Sequence, residues 1–401
     1  MANFDTRKYI SSSVACLLCS ATVGLSNLAT AEPININGFL SSSITKTNHS
    51  TPYIETKEYT DTLNFQSGTV MGLMLSKRVD SKVNFQGQLT ARGAESDENL
   101  NFRPSFDMLF VDYKLRPNLS MKVGKFIPDT YLISKHLDVG ASYLWARPPV
   151  EVYETSYSLI TKINGIELTY QKSLGSYNVR FQPYVGRVNE TITSRSSKTS
   201  SQLDAKDIAG FGLAIENQII TLHASYMLTD AVNHEEEGGT LTMPKAVIYS
   251  LGAKAHLDTW LLQLELARSQ VGHGIIDLTA SSTPGLSAFG TLKTKIPVQT
   301  GYYLTVAKES GSLTPYLTLA CTDAVLKDPS SHPFIAGFNN GFMQEQASVT
   351  VGARYYATDT LTIKAELHQA DTRNGTSGLF VALPAKNSHL QLWTVSFNIL
   401  F

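Results

Sequence analysis

The sequence predicts an all-β protein, a transmembrane antiparallel up-and-down β-barrel of about sixteen strands. Three observations predict it. Apolar and polar residues alternate with a period of two over much of the chain, the alternating segments run to about ten residues, and the connections between them are alternately short and long. Ten residues is about what a tilted strand needs to cross a bilayer core.

Composition narrows the alternatives. The chain has 401 residues, 42 % of them hydrophobic and 17 % charged, and no uninterrupted apolar run of 18 residues, so a bundle of membrane-spanning helices is excluded. Lys and Arg (33) nearly balance Asp and Glu (34), which leaves no broad basic surface for a polynucleotide. No nucleic-acid partner is expected.

The first element is an export signal. Arg7 and Lys8 precede an apolar stretch over residues 14–25, and Ala29, Thr30 and Ala31 supply the small residues of a cleavage site. Cleavage after Ala31 makes residues 1–31 a secretory signal peptide and 32–401 the barrel. Cys16 and Cys19 leave with the signal. Cys321 then has no partner for an intrachain disulfide or a cysteine-rich metal site, and its alternating surroundings suit a small packing residue. No metal and no cofactor is expected.

Sixteen strands are expected near residues 34–46, 62–78, 82–92, 106–115, 119–126, 156–172, 176–187, 208–216, 219–230, 246–257, 259–270, 299–309, 313–323, 346–356, 360–370 and 389–401. The last segment shows the logic best. Trp393, Val395, Phe397, Ile399 and Phe401 share one parity and Thr394, Ser396 and Asn398 the other, so one strand face is greasy and its reverse polar. In 82–92 the second row is Asn84, Gln86, Gln88, Thr90 and Arg92, and in 360–370 it includes Lys364, Glu366 and His368. A packed core would bury those charges at several kcal/mol each unless all were paired, whereas a water-filled interior removes the penalty. At about sixteen strands side chains no longer fill a barrel. Short turns such as Val79-Asp80-Ser81 alternate with long polar connections near 47–61, 93–105, 127–155, 188–207, 231–245, 271–298, 324–345 and 371–388, which puts both termini at the short-turn end.

Two stretches resemble known families. Phe401, preceded by alternating Ile399 and Phe397, resembles the terminal signal read by the barrel-assembly machinery in outer-membrane porins of Gram-negative bacteria. The pair of segments from Phe110 to Leu115 and from Leu119 to Pro128 resembles the proteobacterial porin-like proteins related to phosphate-selective porins, with Gly124, Lys125 and Pro128 matching. The resemblance implies a location in the outer membrane, a homotrimer, contact with outer-membrane lipid and lipopolysaccharide, and a loop folding inward after Pro128. Asp129-Thr130 follows that proline here where Gly-Leu stands in such relatives, and no dense arginine ladder is present, so the solute class does not carry over.

The candidate constriction is the longest connection, 127–155. Its charged residues are Asp129, Lys135, Asp138, Arg147, Glu151 and Glu154, and Leu132, Leu144 and Trp145 are expected to pack on the wall. Projecting the alternation inward gives a channel lining of Asp112, Lys122, Glu167, Arg180, Lys254, Glu265, Arg354, Lys364 and Glu366. Five bases against four acids leave size as the main filter, with acids on the loop facing bases on the wall across a transverse field. Trp260, Trp393 and Phe401 have outward parity and suit interfacial anchoring. No Gly-x-Ser-x-Gly, His-Glu-x-x-His or phosphate loop occurs, and Ser388 and His389 are the one adjacent pair to consider, without an evident acid. The expected function is passive diffusion of small hydrophilic solutes and ions, not catalysis. A non-conducting barrel for adhesion or envelope contacts, through loops 188–207 and 271–298, is the alternative; an outer-membrane hydrolase is a third.

Overall fold

A computed structural model describes residues 33–55, 57–93, 101–155, 160–194, 199–235, 238–326, 330–381 and 388–401. The export signal, including its cleavage site, lies outside these residues, as do 156–159 of the sixth expected strand.

Each strand pairs antiparallel with its sequence neighbour: β1 (Asn35–Thr47), β2 (Val70–Arg78), β3 (Val83–Arg92), β4 (Ser105–Arg116), β5 (Leu119–Phe126), β6 (Ile163–Leu174), β7 (Tyr177–Ser194), β8 (Thr199–Glu216), β9 (Ile220–Glu235), β10 (Gly239–Leu257) and β11 (Trp260–Gln270). A small hairpin, β12 (Gly274–Asp277) and β13 (Thr291–Thr294), stands in the next loop. The wall resumes with β14 (Gln299–Lys308), β15 (Leu313–Ala324), β16 (Gln344–Tyr356), β17 (Leu361–Thr372) and β18 (His389–Leu400). β11 pairs with β14 directly, so the hairpin is outside the cylinder and leans on the end of β10, Leu241 opposite Ile276. β18 returns to β1, with Ser41 opposite Asn398 and Ser43 opposite Ser396, and closes a barrel of sixteen strands. Closure leaves no sheet edge for lipid to meet.

The two-residue period decides which side is which. On β18 Leu390, Leu392, Thr394, Ser396 and Asn398 are buried, while Trp393, Val395 and Phe397 are exposed. Phe85, Leu109, Val123, Ile166, Leu264, Leu304, Leu317 and Val351 continue the exposed apolar belt around the wall. A belt of this kind, with polar residues on the reverse, is what a bilayer demands of a spanning sheet. At the short-turn end Phe401 exchanges backbone hydrogen bonds with Gly38 (2.6 and 3.0 Å). Its ring lies over that glycine, where any Cβ would come within 2.1 Å of the ring.

The expected strands all have counterparts; β2 and β6 begin later, at Val70 and Ile163, and β7 to β10 are longer. Two segments expected to be polar loops, 188–207 and 231–245, are largely the ends of β7–β8 and β9–β10. Val188, Leu203, Ala205, Ile208 and Ala231 are buried together on the inner side of this extension. Above the bilayer the outer face meets water, and outward residues there include Asn189, Gln202, Lys206 and Asp230. A strand with this pattern loses its greasy row and reads as a loop. Helix α1 (Val150–Tyr153) lies in the 127–155 connection, and α2 (Pro333–Phe342), with proline in its first turn, in the loop before β16.

Candidate functional site

The 127–155 connection leaves β5 at a backbone position only glycine suits. Gly124 has φ +137°, and a Cβ there would approach the Leu109 carbonyl oxygen to 2.3 Å. Phe126 is then buried against Ile163, Tyr184 and Ile208, and the chain runs across to the far wall. The Leu132 amide donates to Glu265 Oε1 on β11 (2.8 Å), and the Tyr153 hydroxyl donates to the same carboxylate. The Gly140 amide reaches Ser41 Oγ on β1 (3.1 Å). Trp145, buried, donates its indole N–H to Thr305 (3.1 Å) and Thr318 (2.9 Å) on β14 and β15.

β17 supplies the strongest anchors. Lys364 Nζ donates to the carbonyls of Tyr143 and Trp145, each at 2.7 Å, and to that of Gly140. Glu366 accepts from the Ala146 amide (3.0 Å) and from the Arg147 guanidinium (3.2 Å), and Arg147 is itself nearly covered. Behind them α1 presses on β14 at Gly301, where a Cβ would sit 1.9 Å from the Glu151 carbonyl oxygen. The buried Glu151 carboxylate accepts from Gln346 on β16 (2.8 Å). Burial raises its pKa above the ordinary glutamate range, against the opposing pull of hydrogen bonds from Ser348 and Gln346. A second loop joins this network: Tyr53 accepts from Gln346 (2.7 Å) and packs with Phe380.

All nine residues expected on the wall have inward parity, but they separate into two groups. Glu265, Lys364 and Glu366 are buried beneath the loop and spent in holding it. Arg354 is almost covered, 3.6 Å from Glu309 and over the Tyr356 ring. Asp112, Lys122, Glu167 and Arg180 stand on β4 to β7, where the loop touches Gln182 but leaves a cavity beside it. Lys122 pairs with Glu167 (2.6 Å); the carboxylate is 0 % exposed and the ammonium 20 %. Arg180 lies 3.6 Å from Glu216, with its Nε–H unpartnered. Asp112 is opposite Lys122 in the β4–β5 register, and Lys254 on β10 is half-buried.

The loop charges divide in the same way. Asp129 is buried 3.3 Å from Lys135, Asp138 pairs with Arg92 (2.6 Å), Arg147 and Glu151 are anchors, and Glu154 is half-buried at the end of α1. The side of the loop facing β7 presents Lys135, which donates to Gln182 (2.5 Å). Acids on the loop opposing a basic wall were expected; Asp138 meets Arg92 in that way, while beside β7 a base on the loop stands near bases on the wall. A cavity of about 470 Å³ opens there, lined by Lys114, Arg116, Lys122, Lys135, Arg180 and Gln182 among others, and reaches the short-turn mouth. Two clusters were not anticipated. Asp107 on β4 binds both Arg92 and Lys162, and the 47–61 loop buries Tyr53, Ile54 and Tyr59. Arg92 had the right parity to be found; the loop's path left no signal.

Catalytic geometry is missing among the described residues. His389 does have an acidic neighbour, Asp371, at 2.7 Å. Ser388 cannot join them, because adjacent residues on an extended chain point to opposite faces, and Ser388 is buried while His389 is exposed. His223 lies between Ser250 (3.5 Å) and Asp129 (3.8 Å), but the Ser250 hydroxyl is 0 % exposed and donates to the Thr130 carbonyl (2.8 Å). No group of three or more His, Cys, Asp or Glu side chains suited to a metal occurs among the described residues.

This fold is that of outer-membrane channel proteins. It resembles OmpF of Salmonella typhi, solved with daunomycin (TM-score 0.56, 11 % identity, covering 92 % of this chain and 97 % of that one). The outer-membrane channel DcaP of Acinetobacter baumannii gives TM-score 0.56 at 8 % identity, covering 92 % and 97 %, and the anion-selective porin of Comamonas acidovorans 0.55 at 13 %, covering 92 % and 99 %. No family model matches the chain, and no curated protein does. A closed barrel with an apolar belt, short turns at one end and long loops at the other is an integral protein of the outer membrane of a Gram-negative bacterium.

Proposed function

We propose that the chain is a porin that lets small hydrophilic solutes and ions diffuse down their gradients through a lumen narrowed by the 127–155 loop. The observation that carries this reading is the cavity that the docked loop leaves beside β4 to β7. Its anchors reach β1, β11 and β14 to β18, with further contacts to Arg92 on β3, Gln182 on β7 and Ser225 and Ser250 on β9 and β10, while residues of β4 to β7 toward the short-turn end line a cavity. A plug would leave no such cavity. Transport of this kind needs no cofactor, since the protein only replaces hydrocarbon with water.

The remaining expectations belong to the same reading. Residues 1–31 are removed on export. Phe401 is the assembly signal read by the barrel-assembly machinery. The outer face contacts lipid and lipopolysaccharide and also joins copies into a homotrimer, for which an apolar groove of about 610 Å³ on β1 and β16 to β18, floored by Ala353 and Ala365, supplies a smooth contact surface. Purified protein in a planar bilayer is expected to give stepwise currents. A barrel that inserts, confirmed by heat-modifiable migration, yet carries no current favours the adhesion alternative. Removal of Phe401 is expected to lower the amount of folded barrel in the membrane without changing the current of each channel that does assemble.

A further inference from the structure

The outer wall carries a cavity that neither the loop nor the lumen uses. On β11, β14, β15 and β16 three outward rows climb toward the long-loop end, each fixed by the strand registers. Leu264, Leu304, Leu319 and Val349 form the lowest, all exposed within the apolar belt. Leu266, Tyr302, Cys321 and Ala347 follow one step up. Arg268, Thr300, Asp323 and Glu345 form the third, where the belt gives way to charge. Arg373, whose amide donates to the Glu345 carbonyl (3.0 Å), stands beside that row. Long loops face the cell exterior, so the change from leucine through tyrosine to arginine marks the headgroup level of the outer leaflet. The small side chains of Thr300 and Cys321, set between Arg268, Tyr302 and Glu345, leave a cavity of about 410 Å³ there. Its charges are not spent on one another. No ion pair joins Arg268 or Arg373 to a carboxylate among the described residues, and Glu345 accepts from the Asn374 amide (2.5 Å).

From this juxtaposition, and resting on the contact with lipopolysaccharide proposed above, we infer that the cavity is a binding site for one phosphorylated glycolipid of the outer leaflet, the lipid A end of a lipopolysaccharide molecule. Two bases and two acids cancel, so a bare anion gains little here; a phosphorylated sugar uses all four. Arg268 and Arg373 take phosphates, because a guanidinium fork matches paired phosphate oxygens. They stand at the two ends of the charged row, and the three strand spacings from β11 to β16 amount to about 14 Å. Lipid A likewise carries its two phosphates at opposite ends of a disaccharide. Between them Asp323 and Glu345 accept from sugar hydroxyls, and the outward Tyr302 ring, 48 % exposed, offers a flat surface to a sugar face. Acyl chains then run down over Leu304, Leu319 and Val349, in the belt that meets hydrocarbon. Phosphatidylglycerol has one phosphate for the two arginines and no ring for Tyr302, so it fits less of the site.

Cys321, the one thiol once residues 1–31 are gone, lines the cavity and reports whether it is filled. Folded protein in phosphatidylethanolamine vesicles is treated with N-ethylmaleimide, alone or with part of the lipid replaced by bisphosphorylated lipid A, dephosphorylated lipid A or phosphatidylglycerol. Bisphosphorylated lipid A is expected to slow alkylation by about 5-fold or more, since the reagent must reach the thiol. The other two are expected to leave the rate unchanged. Arg268→Gln with Arg373→Gln is expected to remove the protection, whereas Lys308→Gln, an exposed charge at the short-turn end beside Trp260, is expected to keep it. Heat-modifiable migration confirms that each variant is folded. Lipid A retained through extraction in mild detergent gives a second reading, expected to be lost in the double variant alone. Equal protection by phosphatidylglycerol or by dephosphorylated lipid A, protection that survives the double change, or neither protection nor retention in the unmodified protein overturns the inference. Currents in bilayers that hold no lipid A test the channel separately: a silent barrel whose Cys321 is still protected overturns the porin reading and leaves this site standing.

Discussion

The inner wall has two halves built from the same pattern and put to different uses. On β11 and β14 to β18, inward residues such as Glu265, Thr305, Lys364 and Glu366 are covered and hold the loop. On β4 to β7, inward residues such as Lys122, Thr169 and Arg180 line a cavity. Strand parity assigns a side chain to the inside of a barrel, but whether the inside is wet at that point depends on where a loop from elsewhere in the chain lies. A charge that keeps its solvation and a charge that is traded for protein hydrogen bonds look the same in sequence.

The largest way to erase the difference is to remove what causes it. Deleting residues 131–148 takes away the segment anchored by Glu265, Lys364 and Glu366 and is expected to raise the single-channel conductance severalfold, because the constriction is the narrowest stretch of the path. An unchanged conductance step would falsify the inward docking.

That docking also marks the limit of what the sequence discloses. The wall is local information. Alternation at 82–92 or 389–401 needs only neighbouring residues, and the strand number follows from counting such segments. The loop's path is not local: Trp145 finds Thr305 and Thr318 at 160 and 173 positions away, and Glu151 finds Gln346 at 195. Nothing in the loop's own residues names those partners. Gly301 is a trace of the docking, since a bare position in a strand marks a close backbone approach, but it identifies no visitor. Counting charges on the lining has the same blind spot, since it ignores that Glu265, Lys364 and Glu366 are buried.

A smaller perturbation acts on one anchor at a time. Glu366→Ala leaves the covered Arg147 without its carboxylate, and an unpaired buried charge costs about 3–5 kcal/mol. The loop is then expected to leave the wall part of the time, seen as flickering between two current levels and as cleavage after Lys135 by trypsin. Lys122→Ala on the open wall is expected to cost little stability and to change selectivity instead. Gly301→Val is expected to displace α1, at about 1–3 kcal/mol for overpacking, with the same flickering.

The smallest expected effect is of pH. The docked loop keeps Glu151 in a buried place that raises its pKa, whereas the undocked loop exposes it to water. The docked state therefore binds the proton more tightly. Its advantage is full at pH below the ordinary glutamate range and shrinks as pH rises through the raised value. Flickering is expected to increase from acid to neutral pH, and Glu151→Gln is expected to flatten that part of the dependence.

The contrast between the halves is tested most directly by thiol labelling in membranes. On a Cys321→Ser background, Gln171→Cys places a thiol at the cavity lining on β6, and Ser396→Cys places one on the covered inner face of β18. With a charged, membrane-impermeant thiosulfonate, Gln171→Cys is expected to react at least ~10-fold faster than Ser396→Cys, as the reagent needs solvent access. Equal rates at the two positions would contradict the division of the wall into a docked and an open half.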